Sequence, residues 1–201
     1  MNEKEKKEFD EFSRQLESVI DDALPIVKSI TVHTRRARRA MGGRSLNDEG
    51  EIVDEEVDTL TLSNEQVELA ILLQRLGDRI SDMGYVARAV EEFYKRVMEG
   101  HKVRLTQVGE ERIVEEKDKE STTGYRKVRK FVPVAAGVAD SMKISLAHEA
   151  FMLHNSCQKQ LESLVQIRKS TDKTIDTMRS KLSYEKANDN NAARYFGTLW
   201  V

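Results

Sequence analysis

The sequence predicts a mainly α protein, an elongated bundle of three long heptad-patterned helices. Three observations lead there. Apolar residues recur at alternating steps of three and four along three separate segments, the spacing that lays one stripe down a helix. The 201 residues include only two prolines and 6% aromatics, whereas a sheet-rich fold needs turn residues and β-formers at regular intervals. At 39% hydrophobic and 34% charged, the chain is less apolar and more charged than ordinary soluble domains, a balance that suits solvated rods better than a thick globule.

The first segment carries Phe9, Phe12, Leu16, Val19, Ala23, Ile26 and Ile30 on one stripe and reads as a helix over about 3–41. Asn2 and Glu5 have the spacing of a capping box at its start. Pro25 lacks the amide that a helix interior uses and predicts a kink or a restart. The second segment opens at Ser63 with Gln66 in the capping-box position and runs through Leu69, Leu72, Leu76, Ile80, Met83, Ala87, Val90, Tyr94 and Val97. Gly100 is its expected stop, giving a helix over about 63–99. The third stripe is Met142, Leu146, Ala150, Leu153, Cys157, Leu161, Leu164, Thr171, Ile175, Met178 and Leu182, a helix over about 137–186. At a rise of roughly 1.5 Å per residue, 40 to 50 residues of helix extend about 60 to 75 Å. Three such rods define a bundle over 1–187.

Charged connections join the rods at 42–62 and 100–136. The first contains Asp48, Glu49, Glu51, Asp54, Glu55, Glu56 and Asp58. The second contains Gly109, Gly124, Pro133 and the short β-like runs KVRLTQV, ERIVEE and YRKVRKFVPV. A small β-hairpin insertion around 102–134, its acidic strand facing its basic strand, fits these letters; a charged helix with breaks fits them too. Beyond 187, the NDNN run at 188–191 favours turns and reads as a linker. It leads to an aromatic tail.

That tail holds the most pointed functional signal. Tyr195, Phe196, Leu199, Trp200 and Val201 include the only tryptophan of the chain, and such anchors are a liability in water but strong contributors when covered at an interface. The tail is read as a docking segment: onto its own bundle, onto a neighbouring copy, or as a C-terminal motif for a groove in another protein. Five arginines, Arg35, Arg36, Arg38, Arg39 and Arg44, lie in ten residues without an intervening acid. Their forked guanidiniums suit phosphates of nucleic acid or anionic lipid, and equally the acidic run that begins four residues later. A second cluster, Arg126, Lys127, Arg129 and Lys130, is flanked by Tyr125 and Phe131, an interleaving that single-strand binders use for stacking.

Other chemistries find little purchase. His148 and His154 are six apart, on different helix faces, and His154 with Cys157 makes too few ligands for a structural zinc site. Neither a Gly-rich phosphate loop nor a GxSxG nucleophile motif occurs, and Cys157 falls on the apolar stripe, where it acts as a small apolar residue. No catalytic residue and no cofactor is expected. In LQRLGDRISDMG, Asp78 and Asp82 stand one turn apart on one helix face. The stretch resembles the acidic helix motif of PhoU-type phosphate-signalling proteins, helical-bundle domains in which such pairs hold metal ions. The resemblance covers about a dozen residues, and Gln74 stands where that pattern carries another acid. It implies a metal- or ligand-responsive regulator, with Asp78 and Asp82 as weak metal candidates.

Net charge is −2, so no general attraction to polyanions follows from the sum. The lone cysteine allows no internal disulfide, which points to a reducing, cytoplasmic setting. The charged opening MNEKEKKEFDEF lacks the apolar core of a signal peptide, and the most apolar window carries Asp140, Lys143, His148 and Glu149, so no transmembrane segment is expected. The leading functional expectation is a non-catalytic scaffold, adaptor or structural assembly component. Its partner is itself, as a homo-oligomer, or another protein reached through the tail; a nucleic-acid or anionic-membrane binder is the basic-patch alternative.

Overall fold

The structure is a computed structural model that describes residues 1–46, 52–117 and 125–197, with the side chains of 44–46, 52–55, 117, 125, 126 and 189–197 outside that description. In chain order the described elements are helix α1 (Glu3–Ala40), strands β1 (Gly43–Leu46) and β2 (Ile52–Glu55), helix α2 (Thr59–Gln107), strands β3 (Glu110–Lys117) and β4 (Tyr125–Val132), and helices α3 (Ala136–Leu146) and α4 (His148–Gly197). The fold is mainly α with small antiparallel hairpins. The chain divides into two compact units, one of Met1–Leu16 with Tyr85–Lys159 and one of Glu17–Gly84 with Gln160–Val201.

The capping box at the start of α1 is present: the Asn2 N–H donates to Glu5 Oε2 at 2.7 Å and the Glu5 N–H to Asn2 Oδ1 at 2.9 Å. Pro25 does not restart the helix, which runs unbroken to Ala40. Asp21, whose carbonyl loses its amide partner to the proline ring, is an exposed residue, at a position where the lost bond costs least.

Helix α2 begins and ends outside the expected limits. Its N-cap is Asp58 rather than Ser63, with Asp58 Oδ1 accepting the Thr61 N–H at 2.9 Å. The Thr61 hydroxyl, and after it the Thr61 amide, hold the Asp58 carboxyl below its usual range. A depressed folded-state value means that the cap stabilises fully above the unfolded carboxylate range and is lost as pH falls through the folded value. Thermal midpoints of the wild type and Asp58→Ala should therefore differ at neutral pH and converge below about pH 4; a gap independent of pH would refute the cap's charge dependence.

Gly100 does not stop α2, because one glycine inside a well-packed helix costs only about 1 kcal/mol. The stop is Gly109, at φ 95°, where the Val108 and Gly109 amides both donate to the Arg104 carbonyl at 2.8 and 3.0 Å. The third rod is likewise two helices. Leu146, expected on the stripe, is 48% exposed, while Ala147 is buried, so the buried row steps by one residue where α3 ends and α4 begins. At the other end α4 continues through the NDNN run to Gly197, where a linker was expected; Ala192, Ala193 and Arg194 are strong helix formers that offset the weak propensity of asparagine.

In the unit containing the N-terminus, α1, α2 and the start of α4 pack around Phe93, 1% exposed, with Val97, Ala147 and Ala150 buried beside it and Phe9, Phe12, Tyr94 and Met98 against them. The Phe12 and Phe93 rings are tilted at 5.6 Å between centroids, and the Tyr94 and His154 rings stack at 5.5 Å. Phe93 lies off the predicted stripe because α2 buries more than one narrow seam. Helices α2 and α3 are joined by an ion-pair chain, Lys102 to Asp140 at 2.9 Å, Asp140 to Lys143 at 3.0 Å and Lys143 to Glu99 at 3.0 Å. Lys102 and Lys143 together draw the Asp140 carboxyl down, and Glu99 with Asp140 pushes the Lys143 ammonium up.

In the other unit, Leu16's successors on the first stripe, Ala23 and Ile30, are buried, as are Leu62, Leu69, Leu72, Leu76 and Met83 of α2 and Leu164, Thr171, Ile175 and Met178 of α4. Arg79 of α2 bridges to Asp22 of α1 at 3.2 Å. Both connections carry a hairpin. The expected one is β3–β4, its register setting Glu115 opposite Lys127 and Glu116 opposite Arg126. The second, β1–β2, lies in the 42–62 connection, where only charge was legible; Arg44 stands opposite Asp54.

Candidate functional site

Helix α1 delivers its arginines to solvent. Ala37 and Ala40 are buried, and Arg35, Arg36, Arg38 and Arg39 are all exposed on the rest of the helix surface. Among the described residues only Arg36 approaches a carboxylate, Glu65 Oε1 at 3.9 Å. Glu65 is 7% exposed, and its other oxygen lies 2.5 Å from Nδ1 of His33, so the carboxylate is held by the imidazole and only skirted by the guanidinium. This His33–Glu65 contact ties α1 to α2 and had no sequence signal: His33 sits on no recognisable spacing, and Glu65 is one of many acids on a charged helix. Arg44 and Arg126 lie on β1 and β4 with side chains outside the described set. Lys127, Arg129 and Lys130 are exposed on β4, and Lys130 pairs with Glu116 across the hairpin.

Asp78 and Asp82 stand one turn apart on α2, as their spacing predicts. Asp82 is bound to Arg79 at 3.0 Å, and Asp78 lines an open depression of about 280 Å³ with Asp22, Ile26, Arg75 and Arg79. Arg79 also bonds Asp22, at 3.2 Å. Among the described residues no three His, Cys, Asp or Glu side chains come together as a metal set.

A further pocket lies in the unit that contains the N-terminus. A cleft of about 290 Å³ is lined by Met1, Asn2, Glu5, Val97, Gly100, His101 and Arg104. His101 Nε2 is buried there without a hydrogen-bond partner, and burial pushes the imidazole pKa down. Glu5 lines the same cleft and its charge opposes that downward shift, and among the described residues no hydroxyl or thiol lines it. Cys157 is buried, and desolvation pushes its thiol up to about 11, so it is held as the unreactive protonated form.

Of the tail, Tyr195 and Phe196 lie on the helical backbone of α4 with side chains outside the described set, and Leu199, Trp200 and Val201 lie outside the described residues. One feature of the described surface escaped the sequence reading altogether. Helix α2 bears a second apolar row, Leu60 (74% exposed), Val67 (58%) and Ile71 (43%), on the side opposite buried Leu62, Leu69 and Leu76. With exposed Asn64 and Gln74, it completes a run at steps of four and three, and a shallow depression of about 280 Å³ follows Gln66, Val67, Ala70, Ile71 and Gln74. Its signal was present, but the stronger inner stripe through the same residues masked it.

The class this geometry defines is a helical-bundle protein with hairpin connections, none of its described helices long and apolar enough to cross a membrane. Comparison with protein families, with curated proteins and with solved structures finds no match to this chain.

Proposed function

We propose that the protein is a non-catalytic assembly component, a scaffold or adaptor that works through protein–protein contacts in the cytoplasm, with Tyr195, Phe196, Leu199, Trp200 and Val201 as a C-terminal anchor. The observation that carries this reading is the outer row of α2. A heptad run of Leu60, Asn64, Val67, Ile71 and Gln74, all five exposed, has the pattern of a helix–helix seam, in which a polar Asn fixes register at some cost in stability. Large apolar residues at those spacings are out of place on a surface meant only for water.

Light scattering after size exclusion tests the reading. The full chain is expected as a defined oligomer, and both a chain ending at Asp189 and the double variant Val67→Lys, Ile71→Lys are expected to shift toward monomer with unchanged helix content by circular dichroism. A full chain that remains monomeric at every concentration, with all three proteins equal in thermal midpoint, would sink self-assembly.

A further inference from the structure

The two faces of the β3–β4 hairpin differ. One face carries Glu110, Arg112, Val114 and Glu116 with Val128, Lys130 and Val132, and its charges are satisfied locally: Arg112 bonds Glu110 at 3.2 Å and Lys130 pairs with Glu116. Its valines are partly covered. The other face carries Glu111, Ile113 and Glu115 on β3 with Lys127, Arg129 and Phe131 on β4, all exposed. Ile113 is 65% and Phe131 58% exposed. Among the described residues no ion pair joins the charges of this face, although Glu115 and Lys127 are directly opposite in register.

Four of these residues form one quadrilateral. Glu111 opposes Phe131, and Ile113 opposes Arg129. One diagonal is apolar, Ile113 to Phe131; the other carries opposite charges, Glu111 to Arg129. The sides are about 4.8 Å across the strands and about 6.8 Å along them, close enough to square that a two-fold axis along the apolar diagonal nearly exchanges the charged corners. A second copy turned about that axis lays Ile113 on Ile113 of the partner and Phe131 on the partner's Phe131. Glu111 then faces the partner's Arg129, and Arg129 the partner's Glu111. Strands of the two hairpins cross steeply, as in orthogonal sheet packing.

We infer that this face is a two-fold interface with a second copy of the chain, which rests on the assembly reading and names one of its contacts. A phosphate polymer would meet Glu111 and Glu115; a basic partner would meet Lys127 and Arg129. An occupant must carry the complementary mixture around an apolar centre, and the same face turned over carries it. A two-stranded hairpin alone is marginal in water, so cover on this face would add support to the two eight-residue strands. The isologous arrangement closes on itself and does not propagate into fibres.

Sedimentation velocity over a concentration series tests this with a charge-swap cycle on the full chain. E111R and R129E should each weaken self-association about ten-fold or more, since each places like charges at both corners of the pair. Mixing the two variants at equal concentration should restore association as a heterodimer, because each introduced charge meets its opposite. Restoration in the mixture, with both variants retaining wild-type circular dichroism, establishes the contact. If the wild type associates and neither variant changes it, the hairpin contact is overturned while assembly through α2 or the tail stands. If the wild type is monomeric throughout, both the contact and self-assembly fall. Weakened variants that do not recover on mixing overturn the proposed pairing.

Discussion

Phe93→Ala is expected to lower unfolding stability by about 3–5 kcal/mol, the range for truncating a fully buried aromatic in a core that relaxes only in part. Phe93 is 1% exposed and is the centre of its cluster, in contact with residues of α1, of its own helix and of α4. It also carries more than apolar area: its ring meets Phe12 at 5.6 Å, and the Arg96 guanidinium sits 5.7 Å from its centroid. Arg96 in turn bonds Glu8 at 2.8 Å, so losing the ring loosens a surface bridge between α1 and α2 as well. Urea denaturation checks the value, and Phe93→Leu, which keeps much of the volume, should cost clearly less. Equal losses for the two would mean that the cavity is not what matters.

Gly109→Ala should be nearly as damaging, on the order of 2–4 kcal/mol, for a backbone reason. At φ 95° an L side chain is strained, and a Cβ there would lie 2.2 Å from the carbonyl carbon and oxygen of Val132 and 2.5 Å from the Pro133 nitrogen. Those are backbone atoms at the exit of β4, which the Val134 amide fastens to the Leu105 carbonyl at 3.0 Å. Nothing at the junction can rotate away, so the hairpin and the end of α2 must separate. Gly100→Ala is the contrasting substitution. Its Cβ would meet only Glu5 Oε1 at 3.9 Å, and alanine in a helix interior should stabilise by up to about 1 kcal/mol. Thermal melts of the two variants should move in opposite directions; a loss at Gly100 comparable to that at Gly109 would contradict the account.

These two glycines also mark what sequence could and could not disclose. Gly100 reads as a helix stop and Gly109 only as part of the following connection, and only tertiary contact separates a tolerated glycine from an obligatory one. The rods themselves were legible because hydrophobic periodicity is a local property: Leu69, Leu76, Met83 and Val90 recur along α2 and are all buried. The capping box at Asn2 and Glu5 was legible for the same reason. The break at Ala147 was not, since alanine is a strong helix former and the one-residue step follows from what α3 and α4 each cover. The β3–β4 hairpin showed through its opposite charges, whereas four-residue β1 and β2 are too short to carry a period. At the candidate sites, exposure decided matters that letters left open. Asp78 and Asp82 share a face, and Arg79 bonds Asp82, while the apolar outer row of α2 was hidden under a stronger inner one.

The thiol buried in α4 gives the protein a built-in clock. Cys157 is held protonated and shielded, so a thiol reagent reaches it only when that stretch of helix lifts away from its neighbours. Its rate of alkylation therefore counts openings of the native state without any introduced probe, and any event that braces the N-terminal unit slows that count.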